Sequence, residues 1–393
     1  MARTVTILGA TGSIGKSTVD LMERDLAREG GPAFKVRAVT AGTKVDELAD
    51  VARRVKAESA VIRDKSRYGR LKEALDGSGI RVSAGDDAVC EAAAEPADRV
   101  LSAIVGAAGV APTAAAIRAG NDIALANKEC LICAGSSFMA LAREKGVRIL
   151  PVDSEHNAIF QLLVDVDPAS VDRLVLTASG GPFRAKSADE LAKVTVDEAL
   201  HHPTWSMGPK ITVDSATLMN KGLELIEARH LFGFPPEQLG VLIHPQSKVH
   251  AFVVFRDGSW HGELGAPDMR RPIDYCLNWP DRAERATSHL DLAEVGTLSF
   301  EKPDSERFPA LRIAREAMVA GRGAPTVLNA ANEIAVAAFL DRRIGFMTIP
   351  QLVERVLEEA DKAGLLHEPA TVEAALVLDG QARDLAAGRL LAA

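Results

Sequence analysis

Cysteine is scarce in this chain, four in 393 residues with no regular framework. That excludes a disulfide-stapled fold and points to a reducing compartment. Cys130 and Cys133 make one C-x-x-C, but no second pair completes a zinc site, so both are expected as ordinary thiols in a packed helix. Positive charge is not in excess either. A net charge of −8 argues against a nucleic-acid-binding surface, which needs clustered lysine and arginine, and leaves room only for local basic pockets for small phosphates. No basic-then-apolar leader precedes the first strand-like run, so secretion is not expected and the cytoplasm is the expected location. The longest uncharged run, VLSAIVGAAGVAPTAAAI at residues 100–117, is too rich in Gly, Pro and Ala for a membrane span. It reads instead as a buried strand, a loop and a helix start. Neither an internal repeat nor a low-complexity tail is found.

What is present suits a folded protein with a sizeable core: 47% of residues are hydrophobic and 25% charged. The length implies two or three domains. Strand-like runs at Thr4–Leu8, Lys35–Thr40, Ala60–Arg63, Val100–Val105, Asp122–Leu125 and Val147–Val152 alternate with helix-like patterns at Ser17–Arg28, Val45–Val55 and Pro112–Ala119. Such alternation predicts parallel pairing through right-handed crossovers, an α/β doubly wound sheet over residues 1–150. From 151 to 280 the texture is α+β, with strands at Asp172–Thr177, Val241–Ile243 and His250–Arg256 and a long irregular stretch at 198–210 suited to a flexible lid. Residues 281–305 read as a polar linker. Residues 306–393 are helix-patterned, at Pro309–Ala320, Leu328–Asp341 and Ile349–Ala363.

The glycine turn GATGSIGKS admits two chemistries. It ends in Gly-Lys-Ser, as a nucleotide P-loop does, but the first glycine of G-x-x-x-x-G-K-[ST] would have to stand at position 10, which is Ala10. The extra residue would misplace the amides that cradle a triphosphate. The dinucleotide reading needs a strand, a tight turn and a helix whose N-terminus faces the pyrophosphate, and Gly9, Gly12 and Gly15 supply a looser G-x-x-G-x-x-G variant. Thr11 and Ser13 then sit where phosphate oxygens would be bound. The second strand ends Thr40-Ala41-Gly42-Thr43-Lys44, without the acid that would hold a ribose 2′-hydroxyl, so NADP is favoured over NAD and Lys44 is the candidate partner of a 2′-phosphate.

In PVDSEHNAIF, Asp153 and Glu155 are spaced to project to one side of an extended strand exit, where two carboxylates suit Mg²⁺ or Mn²⁺. The plain alternative is that Asp153 or Ser154 caps the following helix. A third carboxylate comes from SATLMNKGLELIEARH, read as one helix with Met219, Leu223, Ile226 and His230 on one face and Thr217, Asn220, Lys221 and Glu224 on the other. Lys221 and Glu224 could form a solvated ion pair, or an amide, an amine and a carboxylate could converge on a phosphorylated substrate and a metal. Between these segments lie His201, His202, Trp205 and Met207, the residues of the lid. Spacing does not choose between the two histidines.

The blocks GATGSIGKST, ANKE, PVDSEHNAIFQ, SGGPFR, HPTWSMGPKITVDSATLMNKGLE, HPQS, GAPDMR and NAANE resemble the 1-deoxy-D-xylulose 5-phosphate reductoisomerase family over essentially the whole length. The resemblance implies a Rossmann-like first domain, a central catalytic domain with a lid, a C-terminal helical domain and a homodimer that binds neither nucleic acid nor membrane. It implies NADPH and one divalent cation (Mg²⁺ or Mn²⁺, with Co²⁺ a further candidate) acting on a sugar phosphate. Asp153, Glu155 and Glu224 would bind the metal. Lys128, Ser154, Glu155, Ser179, His202, Trp205, Ser215, Asn220, Lys221 and Glu224 would contact substrate, with Glu155, Lys128 and His202 as the catalytic set. Thr11, Gly12, Ser13, Ile14, Gly42, Thr43, Lys44, Asn127, Glu129, Met207 and Gly208 would contact the cofactor. The family's Lys-Asn after the second-strand glycine is Thr43-Lys44 here, which moves the expected charge one residue on. A P-loop kinase, a metal-free semialdehyde-type dehydrogenase and a non-catalytic NADP-sensing module are the competing readings.

Overall fold

A computed structural model describes residues 2–205, 207–283, 287 and 289–391. Ser206 of the expected lid, residues 284–286 and 288 of the expected linker, and the last two residues of the expected helical domain lie outside the described residues. Strands and helices alternate as the periodicity predicts: β1 (Arg3–Leu8), α1 (Ser13–Leu26), β2 (Phe34–Ala41), α2 (Val45–Arg54), β3 (Ser59–Ile62), α3 (Tyr68–Ala74), β4 (Arg81–Ala84), α4 (Asp86–Ala94), β5 (Arg99–Ser102), α5 (Val110–Arg118), β6 (Ile123–Leu125), α6 (Glu129–Lys145) and β7 (Ile149–Pro151). The strands form one sheet in the order β4-β3-β2-β1-β5-β6-β7, every pairing parallel. A parallel sheet covered on both faces demands apolar runs, and Val5, Ile7, Leu8, Val100, Leu101 and Ile123 are fully buried. The sequence reading missed β4, because RVSA is short and only half-buried at the sheet edge. It also began the first helix late. Gly12 is the N-cap, so Ser13, Ile14 and Gly15 form the first helical turn and not the loop.

The chain continues through α7 (Ser154–Leu162), β8 (Val171–Ala178), the one-turn helices α8 (Ala188–Leu191) and α9 (Val196–Ala199), α10 (Pro209–Thr217), α11 (Met219–Phe232), β9 (Leu239–Ile243), β10 (Val249–Phe255) and β11 (Trp260–Leu264). The second sheet has the order β11-β10-β8-β9, antiparallel about β10 and parallel between β8 and β9. The expected single helix around SATLMNKGLELIEARH is two. Leu218 takes a left-handed φ of +63° and divides α10 from α11. After α12 (Arg270–Asn278) and the single turn α13 (Leu292–Val295) come α14 (Pro309–Ala320), α15 (Ala324–Leu340), α16 (Thr348–Lys362) and α17 (Val372–Leu391). The last of these falls in the expected helical domain but outside its named amphipathic stretches, since its apolar residues are not confined to one face and Gly380 and Gly388 interrupt it. Helix α11 packs against β8, β9 and α14. A Cβ on Gly222 would lie 2.3 Å from that of Ala314, so glycine is what lets α11 and α14 approach.

Contacts divide the chain into two units, with boundaries other than those the sequence suggests. One comprises Met1–Cys130, Phe138–Asp153 and Asp268–Ser288, the other Leu131–Ser137, Ser154–Pro267 and His289–Ala393. Helix α12 returns to the first unit for a polar reason. Arg99, itself buried, donates to the carbonyls of Cys276 and Trp279, and Arg3 donates to those of Leu277 and Asn278. Residues 131–137 join the second unit because Thr326 and Asn329 of α15 donate to the Cys133 carbonyl and thiol. Cys130 and Cys133 are buried and outside any disulfide. The C-terminal helices share one apolar core with the second sheet, from Ile132 through Leu176, Leu223 and Val327 to Ala386. Among the described residues, no helix is long and apolar enough to cross a membrane.

Candidate active site

In the first unit the strand order reverses between β1 and β5, which is where α/β sheets bind ligands. Gly9 makes this crevice possible: its φ is +85°, and a Cβ there would meet the Ala103 carbonyl oxygen at 2.6 Å. Gly15 is equally constrained, with a Cβ placed 2.3 Å from the Gly9 carbonyl oxygen. Thr40 holds the turn from β2, its hydroxyl accepting from Gly9 N–H and its carbonyl from Ala10 N–H. The first-turn amides of α1 have no intrahelical partner, no side-chain cap and no acidic neighbour in that turn. That is an anion-receptive helix end. Thr11 is buried, Ser13 exposed, and Gly42, Thr43 and Lys44 are exposed at the carboxyl end of β2.

Lys44 is not alone there. Its ammonium lies 2.9 Å from Glu47 Oε1, and Lys16 of α1 reaches Glu47 Oε2 at 3.1 Å. Lys44 first and Lys16 second pull the Glu47 carboxyl below its ordinary range. Asn127, expected at the cofactor, spends its amide on the fold: Nδ2 donates to the carbonyls of Ile104 and Gly106, and Oδ1 accepts from Cys130 N–H. Lys128 and Glu129 are buried beside it, and Lys128 Nζ lies 2.5 Å from Asp153 Oδ2.

The second unit carries the remaining carboxylates. Lys221 Nζ is 2.7 Å from Glu155 Oε1 and also holds Glu224 Oε2. Ser154 Oγ donates to Glu155 Oε2 at 2.5 Å, and Asn220 Nδ2 donates to Glu224 Oε1 at 2.6 Å. The solvated ion pair is therefore excluded, since Lys221 and Glu224 are 3% and 1% exposed. Burial disfavours charge on Lys221, but the Glu155 and Glu224 carboxylates outweigh it and raise the amine. Burial likewise works against the charged Glu155, and Lys221 with the Ser154 hydroxyl outweighs it, holding the carboxyl below its ordinary range. Lys221, expected at a phosphate, sits here between two carboxylates.

The phosphate-binding candidates Ser179 and Ser215 are brought together by Gly181. Its φ is +68°, and a Cβ there would lie 2.8 Å from the Ser215 carbonyl oxygen. Ser179 Oγ accepts from Gly181 N–H at 3.2 Å and lies 3.1 Å from His202 Nε2. The other ring nitrogen, Nδ1, accepts from Thr204 N–H and Trp205 N–H. That places the His202 proton on Nε2, donating to Ser179, and frees the Ser179 hydroxyl proton to point at a ligand oxygen. Burial lowers the His202 pKa and keeps the ring neutral. His201 is exposed and bonds its own helix end, so geometry separates the histidines where spacing did not. Trp205 is half-buried near His250, with ring centroids 6.5 Å apart; Met207 and Gly208 are half-buried too.

Two groups escaped the sequence reading. His156 is fully buried, donating Nε2–H to the Glu224 carbonyl at 2.8 Å, with Nδ1 3.4 Å from Glu227 Oε2. It braces α11 beneath its carboxylate. Asp214, one residue before Ser215, is buried between Lys210 at 2.9 Å and Asn332 at 2.8 Å. The block NAANE was visible as a motif, but nothing local says that its second asparagine reaches α10.

Models described as 1-deoxy-D-xylulose 5-phosphate reductoisomerase, its C-terminal domain, and the DXP reductoisomerase C-terminal domain match residues 5–135, 149–232 and 264–385. The 1-deoxy-D-xylulose 5-phosphate reductoisomerase of Afipia carboxidovorans is 52% identical over 388 residues, 99% of this chain and 94% of the relative. That of Caulobacter vibrioides is 53% identical over 387 residues, 98% and 96%. The solved enzyme from Zymomonas mobilis in complex with NADPH superposes with a TM-score of 0.91 at 49% identity, covering 99% of both chains. A DOX-P reductoisomerase in complex with NADPH, fosmidomycin and magnesium gives 0.92 at 39% identity, covering 99% of this chain and 98% of the other. The chain belongs to the 1-deoxy-D-xylulose 5-phosphate reductoisomerase family.

Proposed function

We propose that this chain is a cytoplasmic, homodimeric oxidoreductase of the non-mevalonate isoprenoid pathway. With NADPH and a divalent cation it rearranges and reduces 1-deoxy-D-xylulose 5-phosphate to 2-C-methyl-D-erythritol 4-phosphate. The observation that carries this reading is the pair of carboxylates, buried Glu224 and partly buried Glu155, clasping a positive charge. A semialdehyde-type dehydrogenase or an NADP sensor has no use for such a pair. The Lys221 ammonium stands in for a cation between oxygen donors, the ligand type that Mg²⁺ and Mn²⁺ prefer. The glycine turn fits a dinucleotide, with a close-packed β1–β5 crevice and uncapped helix amides. Relatives of known structure hold NADPH and magnesium, which supports the same pair of cofactors here.

When bound, the cation polarises the substrate's oxygens and NADPH supplies the hydride. Asp153, Glu155 and Glu224 hold the cation. Glu155 moves the proton exchanged at the neighbouring substrate hydroxyl, and Lys128 steadies negative charge on oxygen. Ser179, Ser215, Asn220 and Lys221 grip the phosphate, Ser179 by the hydroxyl proton that His202 leaves free. Ser154 orients the substrate, and Trp205 with Met207 excludes water from the reacting carbon. Thr11, Gly12, Ser13 and Ile14 receive the pyrophosphate, Lys44 the 2′-phosphate.

The test is the nicotinamide absorbance of NADPH in the presence of the purified protein and 1-deoxy-D-xylulose 5-phosphate, with and without Mg²⁺ or Mn²⁺. Oxidation that needs both substrate and cation is expected. Undiminished oxidation in metal-stripped buffer would overturn the metal assignment, and none in any condition would overturn the whole reading.

A further inference from the structure

Every one of the four oxygens of Glu155 and Glu224 accepts from a residue that the proposed function puts on the substrate. Glu155 Oε1 takes Lys221 and Oε2 takes Ser154; Glu224 Oε1 takes Asn220 and Oε2 takes Lys221. We infer that Lys221 is an internal counter-cation that a divalent ion displaces, so that cation binding releases Lys221 and Asn220 to the phosphate and the two ligands bind cooperatively. This rests on the reading of the site given under Proposed function.

The argument is one of charge and burial. A divalent ion needs at least one oxygen from each carboxylate; one oxygen of each now faces the Lys221 ammonium, and the other is held by Ser154 or Asn220. A divalent ion and an ammonium on the same two carboxylates repel strongly in a site of low dielectric, so the ammonium is driven out. Lys221 is 3% exposed, so it cannot leave for water. A buried ammonium without a counter-charge is severely unfavourable, and a phosphate dianion supplies that charge within reach of the same flexible stem. Asn220 and Ser154 follow the same logic on a smaller scale, exchanging a carboxylate acceptor for a substrate oxygen. The charge balance agrees: two carboxylates and one ammonium carry −1, whereas two carboxylates, one ammonium and a divalent ion carry +1. A phosphate is thus repelled by the first state and attracted by the second.

The experiment uses Mn²⁺ and methyl phosphate, which carries the phosphate end alone. Mn²⁺ affinity is read by paramagnetic resonance of free Mn²⁺, and methyl phosphate affinity by calorimetry. In the wild-type protein each ligand is expected to tighten the other by the same factor, about fivefold or more. Lys221→Gln is expected to bind Mn²⁺ more tightly than wild type in the absence of methyl phosphate, and to show no coupling. Weaker Mn²⁺ binding by Lys221→Gln, or independent binding in the wild type, would overturn the inference while leaving the proposed activity intact. If Lys221→Gln does not fold, the wild-type coupling still tests the inference, since ligands that leave each other's affinity unchanged would overturn it. Absence of Mn²⁺ binding to an active wild type would remove both the inference and the metal assignment beneath it.

Discussion

Asn332 donates through Nδ2 to Asp214 Oδ1 at 2.8 Å, joining helix α15 to helix α10 at the residue before Ser215. The contact gives the C-terminal helices a part in the site that their own sequence did not announce. Asn332→Leu would strip a buried carboxylate of one of its donors, which costs about 1–3 kcal/mol. We expect a lower denaturation midpoint, a raised KM for the phosphorylated substrate through a displaced Ser215, and unchanged NADPH affinity. An unaltered KM would assign Asn332 to folding alone.

Glu224→Gln keeps shape and removes charge. If Glu224 holds the cation, several kcal/mol of charge stabilisation are lost, and turnover should fall roughly 100-fold or more. Asp153→Asn should behave alike. NADPH binding, followed by fluorescence quenching, should survive in both variants.

Lys44 shares Glu47 with Lys16, so the proposed 2′-phosphate pocket would contain its own competing anion. Lys44→Ala should weaken NADPH by about tenfold, the loss of one charge-assisted hydrogen bond, and leave NADH nearly unchanged. Glu47→Gln should do the opposite and tighten NADPH. Titrations that moved NADPH and NADH equally would remove the 2′-phosphate role.

His230 of α11 is pressed against Gly135, where a Cβ would come within 2.2 Å of the ring. Burial, with a smaller contribution from Arg229, lowers its pKa from 6.5 to about 4. The unfolded chain therefore takes up a proton near 6.5 that the folded chain resists until about 4. Stability from this group is full above 6.5, declines as pH falls through that window and levels off below it. The loss is on the order of 3 kcal/mol at most. Denaturation curves between neutral pH and the lower limit should show this slope, and His230→Asn should flatten it.

Much of the fold was legible because its signals are local. Apolar runs of strand length alternating with helical patterns imply a parallel sheet wherever they occur, and Gly9, Gly12 and Gly15 mark the turn after the first strand. The edge strand β4 lacks a clean period and is not signalled, and helix α17 is signalled only as part of a helix-rich region. Leu218 lies inside a helical pattern and nothing in LMN signals a left-handed residue, yet its φ is +63° where α10 meets α11. Asp153, Glu155 and Glu224 were legible as carboxylates in motifs. The charge state of Glu155, set by burial and by Lys221, and the difference in surroundings between His202 and His201 depend on partners that spacing does not contain.

By itself the sequence determined the alternating architecture, the dinucleotide turn in place of a P-loop, the preference for NADP and the family, since these follow from residue types at short, countable intervals. Tertiary structure alone decided where polar groups find their partners: Lys221 between Glu155 and Glu224, Lys44 and Lys16 on Glu47, Asp214 under Asn332, and α12 tied back to β5 by Arg99. The physical reason is that a buried charge must be matched by whatever the fold brings to it, and the match comes from residues far away along the chain.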